Sequence, residues 1–239
     1  MFAGPNGSGK SELKSVLPTT LLGEYLNPDE IEAHIRELGF LDFGVYGVKT
    51  AEAETLGAFT GSAFLRSEGL GDAAGRLKYD EGRLVFGEVE ANAYFASVAA
   101  DFVRRKLLAD QRSFTFETVM SHPGKVSLLE EAQRAGYRTY LYYVATEDPE
   151  INVSRVANRV ALGGHSVPED KIVSRYRRSL DLLPDAIRHT NRAYIFDNST
   201  DNADGSHTWV AEITDGATLE LKTDRIPAWF KRAVLDKIT

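Results

Sequence analysis

The sequence predicts an α/β fold with a mainly parallel sheet covered by helices on both faces. Three observations carry this. Short apolar strands alternate with helical patterns, a glycine-rich turn follows the first apolar stub, and the spacing leaves room for the crossover helix that each parallel return requires. Met1-Phe2-Ala3 reads as a strand, Gly4–Ser11 as a loop, and Leu13, Val16 and Leu17 as one face of a following helix. A buried first strand commonly runs about five or six residues. Only three precede Gly4, so either the true start lies upstream or the first residues pair imperfectly.

Tyr25-Leu26-Asn27 is a second strand, and Pro28 opens a helix with Asn27 as its cap and Ile31, Ile35 and Leu38 on one face. From about residue 41 to 86 the periodicity dissolves into glycines, small residues and mixed charge around a helix at Ala51–Ser67, which reads as an insertion. A long helix follows from Val89 to Leu107, then a strand at Phe114-Thr115-Phe116 and a helix at Val126–Ala135 ended by Gly136. Tyr137–Ala145 alternates and is aromatic-rich, as strands are. Pro149–Leu162 and Pro168–His189 are helical and separated by Gly163-Gly164, and Ala193–Phe196 is a strand. Trp209–Ile213 and Thr218–Leu221 flank Asp215-Gly216, a hairpin signal, and Pro227–Ile238 makes a terminal helix.

Composition removes several classes of function. The 239 residues carry 28 Lys plus Arg against 35 Asp plus Glu, a formal charge of −7, so no molecule-wide positive field holds a polyanion. Nucleic acid is not the expected partner. The absence of cysteine excludes disulfides, thiol nucleophiles and thiolate metal sites, and five scattered histidines do not suggest zinc. No apolar run approaches the roughly 18 residues that span a bilayer, and residues 1–20 lack the pattern of a signal peptide, so no membrane association and a cytoplasmic location are expected.

Gly4-Pro5-Asn6-Gly7-Ser8-Gly9-Lys10-Ser11 matches the phosphate-loop (Walker A) pattern G-x-x-x-x-G-K-S/T at every specified position. Glycines stand where backbone amides must approach phosphate, Lys10 would neutralise the β- and γ-phosphates, and Ser11 would bind Mg²⁺. Gly4 to Ser11 are therefore the expected nucleotide-binding residues. Asp29 sits in a first helical turn just after a strand, where a carboxylate at the sheet's carboxyl edge could take a proton from an attacking hydroxyl; the plainer reading is a helix-start acid favoured by the helix dipole. Glu117 ends an apolar strand, which favours an exit position facing ligand, with Thr118 beside it. For Ser121 and His122 just beyond, substrate contact and a plain loop role stand equally.

Phosphoryl transfer needs positive charge spread over the migrating group. Arg155 and Arg159 share one helix face and Arg175 and Arg178 the next, so a helix–Gly-Gly–helix lid could lower guanidinium groups over phosphates; solvated basic helices are the bland alternative. His165 is expected to shape the lid loop. Ala193–Asp197 imitates the second magnesium-organising strand of motor ATPases, but the chain lacks an LSGGQ-like signature. The cluster Tyr137, Tyr140, Tyr142 and Tyr143 is read as sheet packing rather than a base-stacking platform.

Four segments give the chain its resemblance to the zeta-toxin family of P-loop small-molecule kinases. They are Gly4–Ser11, Asn27-Pro28-Asp29, Phe116-Glu117-Thr118-Val119-Met120-Ser121, and the block from Arg155-Val156 through Arg159-Val160, Gly163-Gly164-His165-Ser166-Val167-Pro168 and Ile172 to Arg175-Tyr176. The resemblance covers about residues 1–38 and 87–200. It implies a single P-loop kinase-like three-layer α/β/α domain over residues 1–239, with a five-stranded sheet, an insertion at about 41–86 and a C-terminal hairpin-plus-helix extension at about 200–239. It further implies ATP (or GTP) and Mg²⁺ as cofactors, Asp29 as catalytic base, Lys10, Arg159 and Arg175 as charge stabilisers, and Glu117, Thr118 and Ser121 at the acceptor substrate. Asn198 would lie near adenine.

Characterised toxins of the family phosphorylate the sugar 3′-hydroxyl of UDP-N-acetylglucosamine and are held by an antitoxin. Transfer to a nucleotide sugar or a related small metabolite, and an antitoxin partner, are the corresponding expectations here. A polynucleotide 5′-hydroxyl kinase and a nucleotide-switched regulatory module without phosphotransfer are the alternatives.

Overall fold

The computed structural model describes residues 1–164, 166–200 and 207–238. In chain order its elements are β1 (Phe2–Ala3), a 3₁₀ turn (Lys10–Val16), β2 (Glu24–Leu26), α1 (Pro28–Leu38) and β3 (Phe40–Asp42). There follow α2 (Glu52–Thr60), α3 (Ala63–Ser67), α4 (Gly71–Ala74), β4 (Lys78–Asp80), β5 (Arg83–Val85), α5 (Ala93–Ala109) and β6 (Phe114–Thr118). The chain continues through α6 (Gly124–Arg134), β7 (Tyr140–Ala145), α7 (Pro149–Ala161), α8 (Glu169–Arg188), β8 (Arg192–Asp197), β9 (Thr208–Thr214), β10 (Thr218–Leu221) and α9 (Ala228–Phe230). The chain forms two compact units, Met1–Pro18 with Glu117–Thr239, and Thr19–Phe116, so β6 contributes its last two residues to the first and its first three to the second.

In the first unit the strand order is β10-β9-β8-β7-β1-β6. Pairing is parallel from β8 to β6, and the predicted hairpin extends the same sheet antiparallel beyond β8. The short β1 pairs in register on both sides, Phe2 with Glu117 and Tyr142, Ala3 with Thr118 and Tyr143. The hairpin joins Thr214 to Thr218 through three residues, with positive φ at Asp215 and Gly216, 49° and 67°, and with the Ala217 N–H donating to Thr214 O at 3.1 Å. On one sheet face Tyr143 is fully buried and shares a 3.0 Å hydrogen bond with Ser179 of α8. On the other, Tyr142 stacks on Tyr194 at 4.8 Å and meets Phe2 at 5.3 Å, so these tyrosines do pack the sheet.

Two helices differ from expectation. The segment after the phosphate loop is a 3₁₀ turn rather than an α-helix, and it ends before Leu17, which Pro18 holds out of helical backbone at φ −108°, ψ 140°. Only seven residues remain for it. The terminal helix is interrupted by a π-helical stretch at Lys231–Leu235. The buried positions Trp229, Phe230, Ala233 and Val234 fit either helix, so their spacing cannot distinguish the two.

In the second unit β2 pairs parallel with β6, Glu24 opposite Phe114 and Leu26 opposite Phe116. With the three parallel pairings of the first unit this makes five parallel strands among the described residues, the number expected. The segment at 41–86 is not irregular. It holds α2 to α4 and most of a three-stranded antiparallel sheet ordered β3-β5-β4, and the single helix expected at Ala51–Ser67 is broken between Thr60 and Ala63, where Ser62 caps α3 through Leu65 N–H. Phe43 against Phe102 (5.3 Å) and Phe86 against Phe95 (5.6 Å) tie it to α5. Its strands are three residues long, too short for alternation to stand out in the sequence.

Candidate active site

The phosphate loop leaves β1 at Gly4, whose N–H donates to the Thr118 carbonyl at 3.3 Å. Its three glycines are required by what surrounds them. All have positive φ, and an added Cβ would stand 2.0 Å from Val144 O at Gly4, 2.7 Å from Asn152 O at Gly7, and 2.4 Å from Asn198 Nδ2 at Gly9. Strand β7, helix α7 and the residues after β8 thus enclose the loop.

Two asparagines set the direction of its peptides. Asn152 Nδ2 donates to Asn6 O at 2.6 Å, and Asn198 Nδ2 donates to Ser8 O at 3.0 Å. In a trans peptide the carbonyl and the next N–H point opposite ways. Pinning these carbonyls outward therefore turns the Gly7 and Gly9 N–H groups the other way, and neither has a hydrogen-bond partner among the described residues. Asn152 is itself fully buried and accepts from Thr146 Oγ1, while Arg155 Nη1 donates to Asn198 O at 2.8 Å. Asn6 Oδ1 and Ser8 Oγ are buried without hydrogen-bond partners among the described residues. Inward amides with no acceptor are what a bound phosphate would complete.

Lys10 Nζ folds back over its loop to Pro5 O at 2.9 Å. Ser11 Oγ donates to Glu117 Oε2 at 3.2 Å, and Glu117, at the end of β6, is only 7% exposed. A hydroxyl and a buried carboxylate side by side are hard oxygen donors suited to Mg²⁺. The structure thus brings Glu117, expected at the acceptor, to Ser11, the hydroxyl expected to bind the metal. Among the described residues no cluster of three or more His, Asp or Glu side chains could hold a metal by itself.

The other expected residues divide. Thr118 Oγ1 accepts from Met120 N at 3.0 Å, closing a turn in which Met120 has φ 53°. The half-buried Ser121 stands beyond that turn, and His122 Nδ1 accepts from Gly124 N at 3.1 Å, a local loop role. Arg159 ends α7, where a Cβ on Gly164 would stand 2.6 Å from its Cγ, and Gly163 has φ 89°. Arg175 is half-buried on α8 and makes no ion pair with an acid among the described residues. His165 lies outside the described residues. A groove of about 630 Å³ between α7 and α8, lined by Asp148, Val153, Glu169 and Tyr176 among others, includes none of the expected site residues.

Asp29 belongs to the second unit. It is exposed in the first turn of α1, its N–H donating to Asn27 Oδ1 at 2.9 Å, as the cap predicts. Asp197 has a structural use: it accepts from Trp229 Nε1 at 2.7 Å and from Ser199 Oγ at 2.6 Å, so the next residue, Asn198, is the one that meets the loop. Sequence reasoning missed Asn152, which no motif marks, and His207, whose Nε2 would stand 2.8 Å from a Cβ on Gly9.

Residues 88–207, half of the chain, match the zeta toxin family. The protein belongs to the zeta-toxin family. Members of this family are P-loop kinases, a class that generally uses ATP and Mg²⁺. The matched span of this zeta-toxin relative holds Glu117, Arg159, Arg175 and Asn198, whereas Gly4–Ser11 and Asp29 precede it. An uncharacterized protein of Haemophilus influenzae (strain ATCC 51907 / DSM 11121 / KW20 / Rd) is 32% identical over 63 residues, 26% of this chain and 45% of that protein. The chain thus spans less than half the length of this curated relative. A solved structure described as AvrRxo1-ORF1:AvrRxo1-ORF2 with sulphate ions is 15% identical, covering all of this chain and 62% of that one at a TM-score of 0.48. No helix among the described residues is long and apolar enough to cross a membrane.

Proposed function

We propose that this zeta-toxin family member is an ATP- and Mg²⁺-dependent kinase acting in the cytoplasm, transferring the γ-phosphate to a hydroxyl of a nucleotide sugar resembling UDP-N-acetylglucosamine or of a related small metabolite. The observation that supports it most is the loop itself: Asn152 and Asn198 hold its carbonyls outward and leave the Gly7 and Gly9 amides without acceptors among the described residues. Lys10 would draw charge from the β- and γ-phosphates, and Ser11 with Glu117 would hold Mg²⁺, which neutralises the phosphates when bound. Asp29 is the proposed base. It takes the hydroxyl proton as the acceptor oxygen bonds to the γ-phosphorus and the bond to the bridging oxygen breaks, leaving ADP. Arg159 and Arg175 would stabilise the charge in transit, with Gly163-Gly164 as the hinge, and Thr118 and Ser121 would touch the acceptor.

We take residues 1–239 as one kinase domain in function, with the insertion at about 41–86 and the extension from about 200 as the places where acceptor choice and an antitoxin contact diverge from relatives. Incubation with Mg-ATP and a panel of nucleotide sugars, read by mass spectrometry for one added phosphate, tests the reading. Phosphorylation of a uridine sugar supports it. Nucleotide binding with no transfer to any sugar moves the acceptor to another small metabolite, nucleotide binding with no transfer to any acceptor overturns the reading in favour of a regulatory module, and transfer to an oligonucleotide 5′-hydroxyl overturns the acceptor class.

A further inference from the structure

We infer that Arg155 is a positioning residue for nucleotide binding: acting through Asn198, it keeps the Ser8 carbonyl turned outward and so keeps the Gly9 N–H turned toward a bound phosphate, an inference that rests on the phosphate-loop reading. The sequence groups Arg155 with Arg159 as charges of one lid, four residues apart on one face of α7. The structure separates them. Arg159 is exposed near the end of the helix, whereas Arg155 is half-buried in its middle, and its Nη1 donates to Asn198 O at 2.8 Å.

Asn198 is fixed at three atoms. Its N–H donates to Ala145 O at 2.8 Å, its carbonyl accepts from Arg155, and its Nδ2 donates to Ser8 O at 3.0 Å. Strand β8 ends at Asp197, so the sheet holds Asn198 on its N–H side and the guanidinium holds it on the other. A charge-assisted bond from a planar, permanently ionised fork suits that task. The amide so held reaches the loop at close range, for a Cβ on Gly9 would stand 2.4 Å from Asn198 Nδ2. Gly9, at φ 90°, is the residue whose backbone turns most freely once Ser8 O is released, and the Ser8 carbonyl and the Gly9 N–H turn together because they share one peptide plane. One turn earlier on the same helix, Asn152 Nδ2 donates to Asn6 O at 2.6 Å. Helix α7 therefore braces both carbonyls that set the loop amides, one directly and one through Asn198.

The test is a double-mutant cycle on the full chain, titrated with the fluorescent nucleotide mant-ATP in Mg²⁺ and with inorganic tripolyphosphate as competitor. The proteins are the wild type, Lys10→Ala, Arg155→Met, Asn198→Ala and the double variant Arg155→Met/Asn198→Ala. Methionine keeps much of the length and removes the donors. The inference expects Arg155→Met to weaken mant-ATP and tripolyphosphate alike by about five- to tenfold. It expects the double variant to lie within about twofold of Asn198→Ala alone, because without the Asn198 amide the guanidinium has no path to the loop. Losses that multiply in the double variant overturn the inference in favour of an arginine that touches the nucleotide itself. Loss for mant-ATP without loss for tripolyphosphate overturns it in favour of a contact with the nucleoside. Unchanged affinity in Arg155→Met overturns it too, whether or not the melting temperature falls. Should Arg155→Met not fold, the shorter Arg155→Gln replaces it and the same outcomes are read. Failure of the wild type to bind, or binding unaffected by Lys10→Ala, removes the phosphate-loop reading first and this inference with it.

Discussion

Ser11 Oγ lies 3.2 Å from Glu117 Oε2, a contact between the loop after β1 and the end of the neighbouring parallel strand, 106 residues apart in sequence. Phe2 pairs with Glu117, so the acid is delivered to the loop by strand register. Glu117→Gln keeps the shape and one acceptor but removes the charge that favours a divalent cation. Loss of such a carboxylate commonly costs about 10–100-fold in metal affinity or activity. The variant should need that much more Mg²⁺ for half-maximal turnover, read from Mg²⁺ titrations of initial rate; an unchanged Mg²⁺ requirement would place Glu117 elsewhere in the chemistry.

Asp29 is exposed, and its backbone rather than its side chain makes the cap contact with Asn27. Asp29→Asn should therefore leave the melting temperature unchanged. A positioned general base contributes about 10²–10⁴-fold, so turnover should fall by that factor with little change in nucleotide affinity. Wild-type turnover in this variant would remove Asp29 as base.

Asn152 is fully buried and links Thr146 to Asn6 O. Asn152→Ala leaves the Asn6 carbonyl without its donor, at a cost of about 1–3 kcal/mol. Because the same bond orients the Gly7 amide, denaturant unfolding should show that loss together with weaker ATP binding. A stability loss with unaltered nucleotide affinity would mean that the loop holds its shape unaided.

Burial raises the Tyr143 phenol above its ordinary range, against the smaller opposing effect of the Ser179 hydrogen bond, and raises Tyr142 to about 12. The fold thus favours the neutral phenol. Its contribution is fully present below the unfolded value near pH 10 and is lost as pH rises from there toward the higher folded value. Tyr143→Phe should cost about 1 kcal/mol at pH 7 through the bond to Ser179 and should flatten the fall of melting temperature above pH 10. Parallel alkaline profiles for the two proteins would contradict this.

Much of the fold was legible because its signals are local. Asn27-Pro28 begins α1, Asp215-Gly216 turns the hairpin, and the apolar spacings of α5 to α8 are long enough to read. The three-residue strands at 41–86 escaped because alternation needs more length than they have, and the apolar spacing after the loop fits a 3₁₀ turn ended by Pro18 as well as the α-helix that periodicity pointed to.

What the sequence determined by itself was the chemistry on offer: a glycine-lysine-serine loop, an acid after a strand, arginines at helical spacing, and no cysteine. Only the tertiary structure decided which partners complete the loop. Glu117 meets Ser11 through parallel strand register, Asn152 and Asn198 pin carbonyls more than a hundred residues away, and His207 reaches Gly9 because an antiparallel strand sets it opposite Asn198. The physical reason is that residue type and spacing record the local preferences of a chain, whereas the direction of a peptide group is set by whichever distant side chain takes its carbonyl, and that choice is made only when the sheet closes.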